Sequence, residues 1–319
     1  MVKCHRPGNL FVQPFFAQIL QASRCRYDKI VLRYNMLMLQ LTHLEPIDYL
    51  IIGHLTCDVT PKGYRLGGTA AYSALTAHAL GLRVGVVTAW GDEIPLSELG
   101  TIPIVSYPAD KSTRFKNADT PHGREQTILH IAPSLDYHMI PEPWRSAPIV
   151  HLGPVAQEVE PGLVRNFPSA LIGVTPQGWM RSWDKAGKVS TSEWPEASFV
   201  LERAGAAVIS IEDVRGDEDR VEEMAASSRI LAVTESHQGA RLYWNGDVRR
   251  FRPPELEEVD TTGAGDIFAA AFFTRLYTTR DPWEAARFAT LLSAQSITRV
   301  GLDSIPTQPE IQESMVEIF

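Results

Sequence analysis

The chain has 319 residues, a net charge of −8 and an apolar fraction of 44%. These values suit an ordinary folded enzyme and exclude a disordered or collagen-like chain. The acidic balance, without a dense Lys/Arg face, argues against a nucleic-acid surface. No apolar run reaches the roughly 20 residues of a membrane span. Cys4, Cys25 and Cys57 are far apart and odd in number. Without metal-ligand spacing they read as reduced thiols, so a cytoplasmic location is expected.

Residues 1–44 differ from the rest. Lys3, Arg6, Arg24, Arg26, Lys29 and Arg33 face only Asp28, and the apolar stretches show no clean period. They read as an extension outside the fold, or as a start assigned too early, with Met36 or Met38 as the true first residue. A basic, acid-poor targeting segment is the alternative. From Pro46 the text alternates strand and helix. "IDYLIIGHL" (Ile47–Leu55) is the apolar, β-branched run of a strand buried on both faces. Gly67-Gly68 precedes a small-residue helix stopped by Gly81, and "RVGVVTAWG" (Arg83–Gly91) is the next strand. That order implies a doubly wound, mostly parallel α/β sheet with right-handed crossovers.

Ser112–Ile131 alternates polar and apolar residues around Thr120-Pro121-His122-Gly123, a β-hairpin out of place in such a sheet. Strands are expected at Ile149–Leu152, Ala170–Val174, Ala207–Ile211 and Ile230–Thr234, and helices near Gln157–Asn166 and Asp217–Ser227. Ala240–Gly246 and Asp247–Pro253 form a second hairpin around Asn245-Gly246. Helices over Ala264–Thr278, Pro282–Thr298 and Gln308–Ile318 close the chain.

The stretch richest in chemistry is "TTGAGD" (Thr261–Asp266). Gly263 and Gly265 bare the backbone at a helix N-terminus, where unpaired N–H groups and the dipole favour an anion. Asp266 at the rim would repel a phosphate unless it acts on an attacking hydroxyl or on a metal. The alternative is a plain helix cap. Two other phosphate motifs are excluded: G-x-x-x-x-G-K-[ST] is absent, and Phe268 replaces the third glycine of a dinucleotide fingerprint. No nucleophile elbow occurs, and His54 and His151 read as core histidines rather than ligands.

"DTTGAGD" (Asp260–Asp266) resembles the C-terminal signature of the ribokinase-like (PfkB) carbohydrate kinases, and the likeness runs from about Pro46 to Pro306. It implies one kinase domain over residues 45–319 with a small β-lid at about 59–66 and 112–131. The hairpin supplies most of the cover, and its strand edge offers a homodimer contact. By the same resemblance Asp266 is the catalytic base, and the amides of Gly263, Ala264 and Gly265 are the anion hole. "GHLTCD" is similar to the first-strand pattern and assigns Asp58 and Thr56, where Asn is usual, to the acceptor. "LGGTAAYSA" does the same for Gly67 and Gly68.

Arg114, Asn117, Arg124 and Gln126 on the hairpin are further acceptor candidates. The nucleotide side resembles Thr234, Ser236 and Gly239 of "VTESHQGA", Thr262 of the signature, and Thr290 and Gly301 of the closing helix and loop. "ISIED" resembles the magnesium segment, with Ser210 and Asp213 in place of Asn and Glu, so Asp213 is the metal candidate. The implied activity is ATP- and Mg²⁺-dependent phosphorylation of a hydroxyl on a small sugar or polyol. An inositol or nucleoside kinase of the same family, or a non-catalytic sugar or nucleotide sensor, are the alternatives. No nucleic-acid or membrane partner is expected. Because the proton leaves late, an unperturbed Asp266 near ~3.9 is sufficient.

Overall fold

The computed structural model describes residues 44–120 and 123–315. The segment expected to lie outside the fold therefore falls, but for Leu44, outside the described residues. In chain order the first strands are β1 (Tyr49–Ile52), β2 (Thr56–Thr60), β3 (Gly63–Gly67), β4 (Val84–Trp90), β5 (Ile104–Pro108), β6 (Arg114–Thr120), β7 (Gly123–His130) and β8 (Ile149–Leu152). They are followed by β9 (Leu171–Val174), β10 (Arg181–Trp183), β11 (Val189–Thr191), β12 (Ala206–Ser210), β13 (Ile230–Thr234), β14 (Ala240–Trp244) and β15 (Asp247–Phe251). The helices are α1 (Thr69–Ala79), α2 (Ala197–Leu201), α3 (Glu218–Ser227), α4 (Ala264–Thr279), α5 (Pro282–Ser296) and α6 (Gln308–Met315).

Among the described residues the main sheet has nine strands in the order β15-β14-β13-β12-β9-β8-β1-β4-β5. Its seven strands from β13 to β5 run parallel, and β14 and β15 add an antiparallel edge. The tight turn there has Asn245 and Gly246 at φ 53° and 80°, the geometry that favours Asn-Gly. Chain order reverses between β1 and β8, because the chain winds outward through β4 and β5 before returning to β8. At this switch point Gly53 and Gly153 follow the two carboxyl ends, and a Cβ on Gly53 would overlap the Gly153 carbonyl. Ligands of open α/β sheets bind outside such a crevice.

Strands β1 and β4 are buried along their whole length, as a parallel sheet covered on both faces requires. Helices α1, α4 and α5 join one apolar cluster with the sheet, contributing Ala70, Ala74, Phe268, Phe272, Phe288 and Leu292. Each fully buried Phe or Leu stabilises the domain by roughly 1.5–3 kcal/mol. Helix α4 is buried without interruption from Ile267 to Thr274.

Two expectations change. The run Ile47–Leu55 is broken: β1 ends at Ile52, and β2 begins at Thr56 in a different sheet. The close approach of Gly53 to Gly153 ends the parallel ladder there. The helix near Gln157–Asn166 shrinks to a single 3-10 turn over Pro161–Arg165. Gln157 takes a positive φ of 61°, and the buried Glu158 carboxylate accepts from the amides of His54, Val155 and Ala156, which fixes a loop. The hairpin of residues 112–131 forms β6 and β7, which join β2 and β3 in one side sheet of order β3-β2-β6-β7. Short strand β5 and the three-residue strands β10 and β11 carry too few residues to show a period.

His54 anchors that side sheet to the body. Its Nδ1 accepts from Thr113 Oγ1 at 2.7 Å, and its Nε2–H donates to Pro133 O at 3.0 Å, gripping both ends of the β6–β7 excursion. Burial lowers the affinity of His54 for a second proton. His151 is likewise a core histidine, bonded to Tyr49 Oη and Thr175 Oγ1 at 2.9 Å each.

Candidate active site

The turn before α4 is built on glycine out of necessity. Gly263 is the N-cap residue, with φ 84° and ψ −6°, and a Cβ there would overlap the Tyr72 ring of α1. Gly265 has a different role: a Cβ on it would meet nothing within 4 Å. The protein itself does not need that glycine, and open space lies in front of it. The amide of Ala264 donates to Thr261 O at 3.2 Å and closes the turn, so the open donors of the first turn are those beyond it.

Asp266 is the third residue of α4, not its cap, and Gly263 makes no side-chain capping bond. The plain-cap reading of Asp266 is therefore set aside. Its carboxyl is half-buried, and desolvation, the largest influence, pushes its pKa up to about 6. A hydrogen bond from Thr69 and the positive charge of Arg181 pull it down, while the negative charge of Asp213 pushes it up. This corrects the expectation of an unperturbed carboxylate. Ser73 Oγ also donates to the Asp266 backbone carbonyl at 3.3 Å. Thr69, Tyr72 and Ser73 thus put one face of α1 against the head of α4, immediately beyond the Gly67-Gly68 turn.

Across the crevice, Asp58 of β2 accepts from Thr56 Oγ1 at 2.9 Å. Thr56 is buried, so it orients Asp58 rather than opening onto the crevice. Gly67 leaves the room that Asp58 fills, since a Cβ there would sit 2.9 Å from its Oδ2. Gly68, at φ 87°, lets the chain turn beside the His54 carbonyl. Of the hairpin candidates, Arg114 pairs at 2.9 Å with Glu93 in the loop after β4, and Gln126 donates to Asn117 across the hairpin at 2.9 Å, so these groups already have partners. Arg124 is placed by its backbone in β7, and its side chain lies outside the described residues.

Asp213 is part of a capping box, accepting from Ser210 N at 2.9 Å and from Gln177 Nε2 at 3.1 Å. Burial raises its pKa as well. Among the described residues no group of three His, Cys, Asp or Glu side chains could hold a metal ion by itself. Among the residues that the resemblance assigns to the nucleotide, Ser236 keeps the left-handed φ of 53° that glycine would favour, and Gly239 is at φ 91°. Thr234 Oγ1 donates to Ile209 O at 3.3 Å, and Thr290 Oγ1 to Ala286 O at 2.8 Å. Thr290 is buried, so its hydroxyl does not reach the crevice here. Asp260 knits the signature together: Oδ1 accepts from Thr262 N at 2.9 Å and Oδ2 from Gly301 N at 3.1 Å.

Thr69, Tyr72, Arg65 and Arg181 were not singled out from the sequence. Thr69 and Tyr72 stand inside "LGGTAAYSA", where a helical wheel anchored on Gly68 would place them together. Arg181 opens a strand too short to read. It donates to Val155 O at 2.9 Å and lies over Phe115 of β6, its guanidinium 5.6 Å from the ring centroid.

Residues 193–308 match the pfkB family carbohydrate kinase profile. A cytidine kinase of Thermococcus kodakarensis is 26% identical over 249 residues, covering 71% of this chain and 87% of the relative. A pyrophosphate-dependent kinase of the ribokinase family, solved with a pyrophosphate analogue and myo-inositol, superposes with a TM-score of 0.70 at 19% identity, over 84% of this chain and 100% of that one. Arabidopsis thaliana ribokinase, solved with ribose and ATP, gives 0.65 at 15% identity, over 85% and 99%. Among the described residues no helix is long and apolar enough to cross a membrane. The chain is thus similar to the ribokinase-like PfkB carbohydrate kinases in its last third by profile and in its fold by superposition, which supports a phosphotransferase with a hydroxyl acceptor.

Proposed function

We propose that this protein transfers the γ-phosphoryl group of ATP to a hydroxyl of a small sugar or polyol, with Asp266 as the base. The observation that carries this reading is the pairing of Asp266, its pKa near 6, with the unfilled space before Gly265 at the switch point of the sheet. A base with that affinity takes a proton efficiently near neutral pH yet remains mostly ionised. Phosphoryl transfer asks mainly for positioning and charge stabilisation. The open amides at the head of α4, led by that of Gly265, form the anion hole, while the Ala264 amide closes the turn onto Thr261 O; Asp58 holds the acceptor, and the sheet β3-β2-β6-β7 is its lid. Arg181, close enough to Asp266 and Asp213 to shift a proton, adds positive charge where phosphoryl charge develops.

Magnesium needs only one or two carboxylates when substrate phosphates and water complete its shell. Asp213 beside Asp266 fits that demand, and the ion would neutralise phosphate charge. ATP as donor rests on the ribokinase solved with it, and a sugar, polyol or nucleoside acceptor on the relatives' own substrates. The test is ADP release with ATP and Mg²⁺ over a panel of sugars, inositols and nucleosides. Turnover with a polyhydroxyl acceptor supports the reading, and silence across the panel overturns it.

A further inference from the structure

Three polar side chains form a line through the core beneath the crevice. Tyr49 of β1 and His151 of β8 are both fully buried, and the Tyr49 Oη lies 2.9 Å from the His151 Nδ1. On the other side of the ring, Nε2 lies 2.9 Å from Oγ1 of Thr175, the residue that follows β9. Phe273 of α4 packs edge-on against the imidazole, with centroids 5.0 Å apart, and holds the ring in place. Burial raises Tyr49 well above its ordinary value and pushes His151 down to about 3, so all three groups are neutral near neutral pH.

Counting protons gives the line a direction. Tyr49, neutral His151 and Thr175 carry one donor proton each, but only two hydrogen bonds join them, so one proton is left over. With the ring proton on Nδ1, the spare proton is that of Tyr49, which is fully buried and makes no other hydrogen bond among the described residues. A buried donor left unpaired costs about 1–3 kcal/mol. With the ring proton on Nε2, the spare proton is that of Thr175, at the carboxyl end of the sheet. The second arrangement is the stable one: Tyr49 donates to Nδ1, and Nε2–H donates to Thr175 Oγ1. Thr175 opens the 3-10 turn Pro176–Gly178, yet its side chain makes no capping bond to it. Its hydroxyl proton is left for a ligand.

The neighbours select the ligand group. A Cβ on Gly153 would sit 3.4 Å from Thr175 Oγ1 and 2.7 Å from Thr69 Cγ2, so bare backbone at the switch point separates the two threonines. Thr69 bonds Asp266, and Gln177, two residues after Thr175, bonds Asp213. The charge of Arg181 acts on both carboxylates. Thr175 is thus flanked by the partner of the base on one side and the partner of the metal candidate on the other. A phosphoryl oxygen is charged and only accepts, so it takes a lone proton and returns none. We propose that Thr175 Oγ1–H donates to an oxygen of the transferring phosphoryl group, and that His151 and Tyr49 are positioning residues that aim it. This rests on the kinase reading and adds to it a donor oriented from within the core.

The experiment has one arm without turnover and one with it. Nitrogen NMR of the histidine rings in wild type should find His151 protonated at Nε2 and bare at Nδ1, and Tyr49→Phe should mix the two tautomers. In kinetics with ATP and the best acceptor of the panel, Thr175→Val keeps the branched shape and removes the donor. Its kcat should fall about 10²-fold, the weight of one preorganised donor, while both KM values hold. Thr175→Ser keeps the hydroxyl and should recover most of the loss. Tyr49→Phe should cost kcat roughly five- to tenfold, the weight of one neutral hydrogen bond, and should cost nothing further in a Thr175→Val background. A purely structural role for Tyr49 would lower Tm in both backgrounds without that dependence of kcat on Thr175. His151 protonated at Nδ1, or a Thr175→Val enzyme with unchanged kcat, overturns the proposal and leaves the kinase reading intact. A wild type inert across the panel overturns the kinase reading and the phosphoryl assignment with it. Should Thr175→Val misfold, an unchanged kcat in Tyr49→Phe overturns the proposal in its place.

Discussion

Replacing Asp266 by Asn separates the cost of a buried carboxylate from its use. The folded pKa is about 6 against a model value of 3.8, a rise of about 2 units at 1.36 kcal/mol each, so ionisation costs the fold at most about 3 kcal/mol. Because the folded value is raised, that stability is present below pH ~4 and is lost as pH climbs through ~6. Asn keeps shape and hydrogen bonding without the charge. Asp266→Asn should therefore match wild type in Tm near pH 4 and exceed it by several degrees above pH 7, at roughly 2–4 °C per kcal/mol for a domain of this size. Its kcat should fall about 10²–10⁴-fold, the usual weight of a general base. In wild type, kcat/KM should decline below pH ~6 as the base is protonated. Thermal scans from pH 4 to 8 and steady-state kinetics read all three. A Tm gap that does not open with pH refutes the desolvated carboxylate, and near-normal kcat refutes the base.

Gly265→Ala should fold like wild type, because its Cβ meets no atom within 4 Å, yet lose kcat by filling the phosphoryl path. Gly263→Ala should lose more than about 1 kcal/mol by denaturant titration, from positive φ and overlap with Tyr72. Arg181→Met removes a charge that favours ionised Asp266, so the acid limb of kcat/KM should move to higher pH and kcat should drop. His54→Ala leaves Thr113 and Pro133 O without their buried partner, and should raise acceptor KM more than ATP KM while lowering Tm.

Much of this protein was legible in one dimension. The alternation of apolar strands with small-residue helices determined a doubly wound parallel sheet, because a strand buried on both faces must be apolar throughout. The contiguous signature Asp260–Asp266 located the glycine turn at the head of α4, since backbone donors at a helix start are a local property. What local pattern could not decide was how distant pieces meet. The pKa of Asp266 depends on Thr69, Arg181 and Asp213, which lie 197, 85 and 53 positions away, and on the burial they create together. The break at Gly53 follows from its contact with Gly153, a hundred residues on. The side sheet pairs β2 with β6 across β3, α1, β4 and β5, which no period within either strand reveals. Arg65 and Tyr72 became visible only when folding left their donors unpaired between Asp58 and the glycine turn. Propensity and periodicity act over a few residues, whereas desolvation, charge and hydrogen-bond satisfaction are set by whatever the fold brings within a few ångströms.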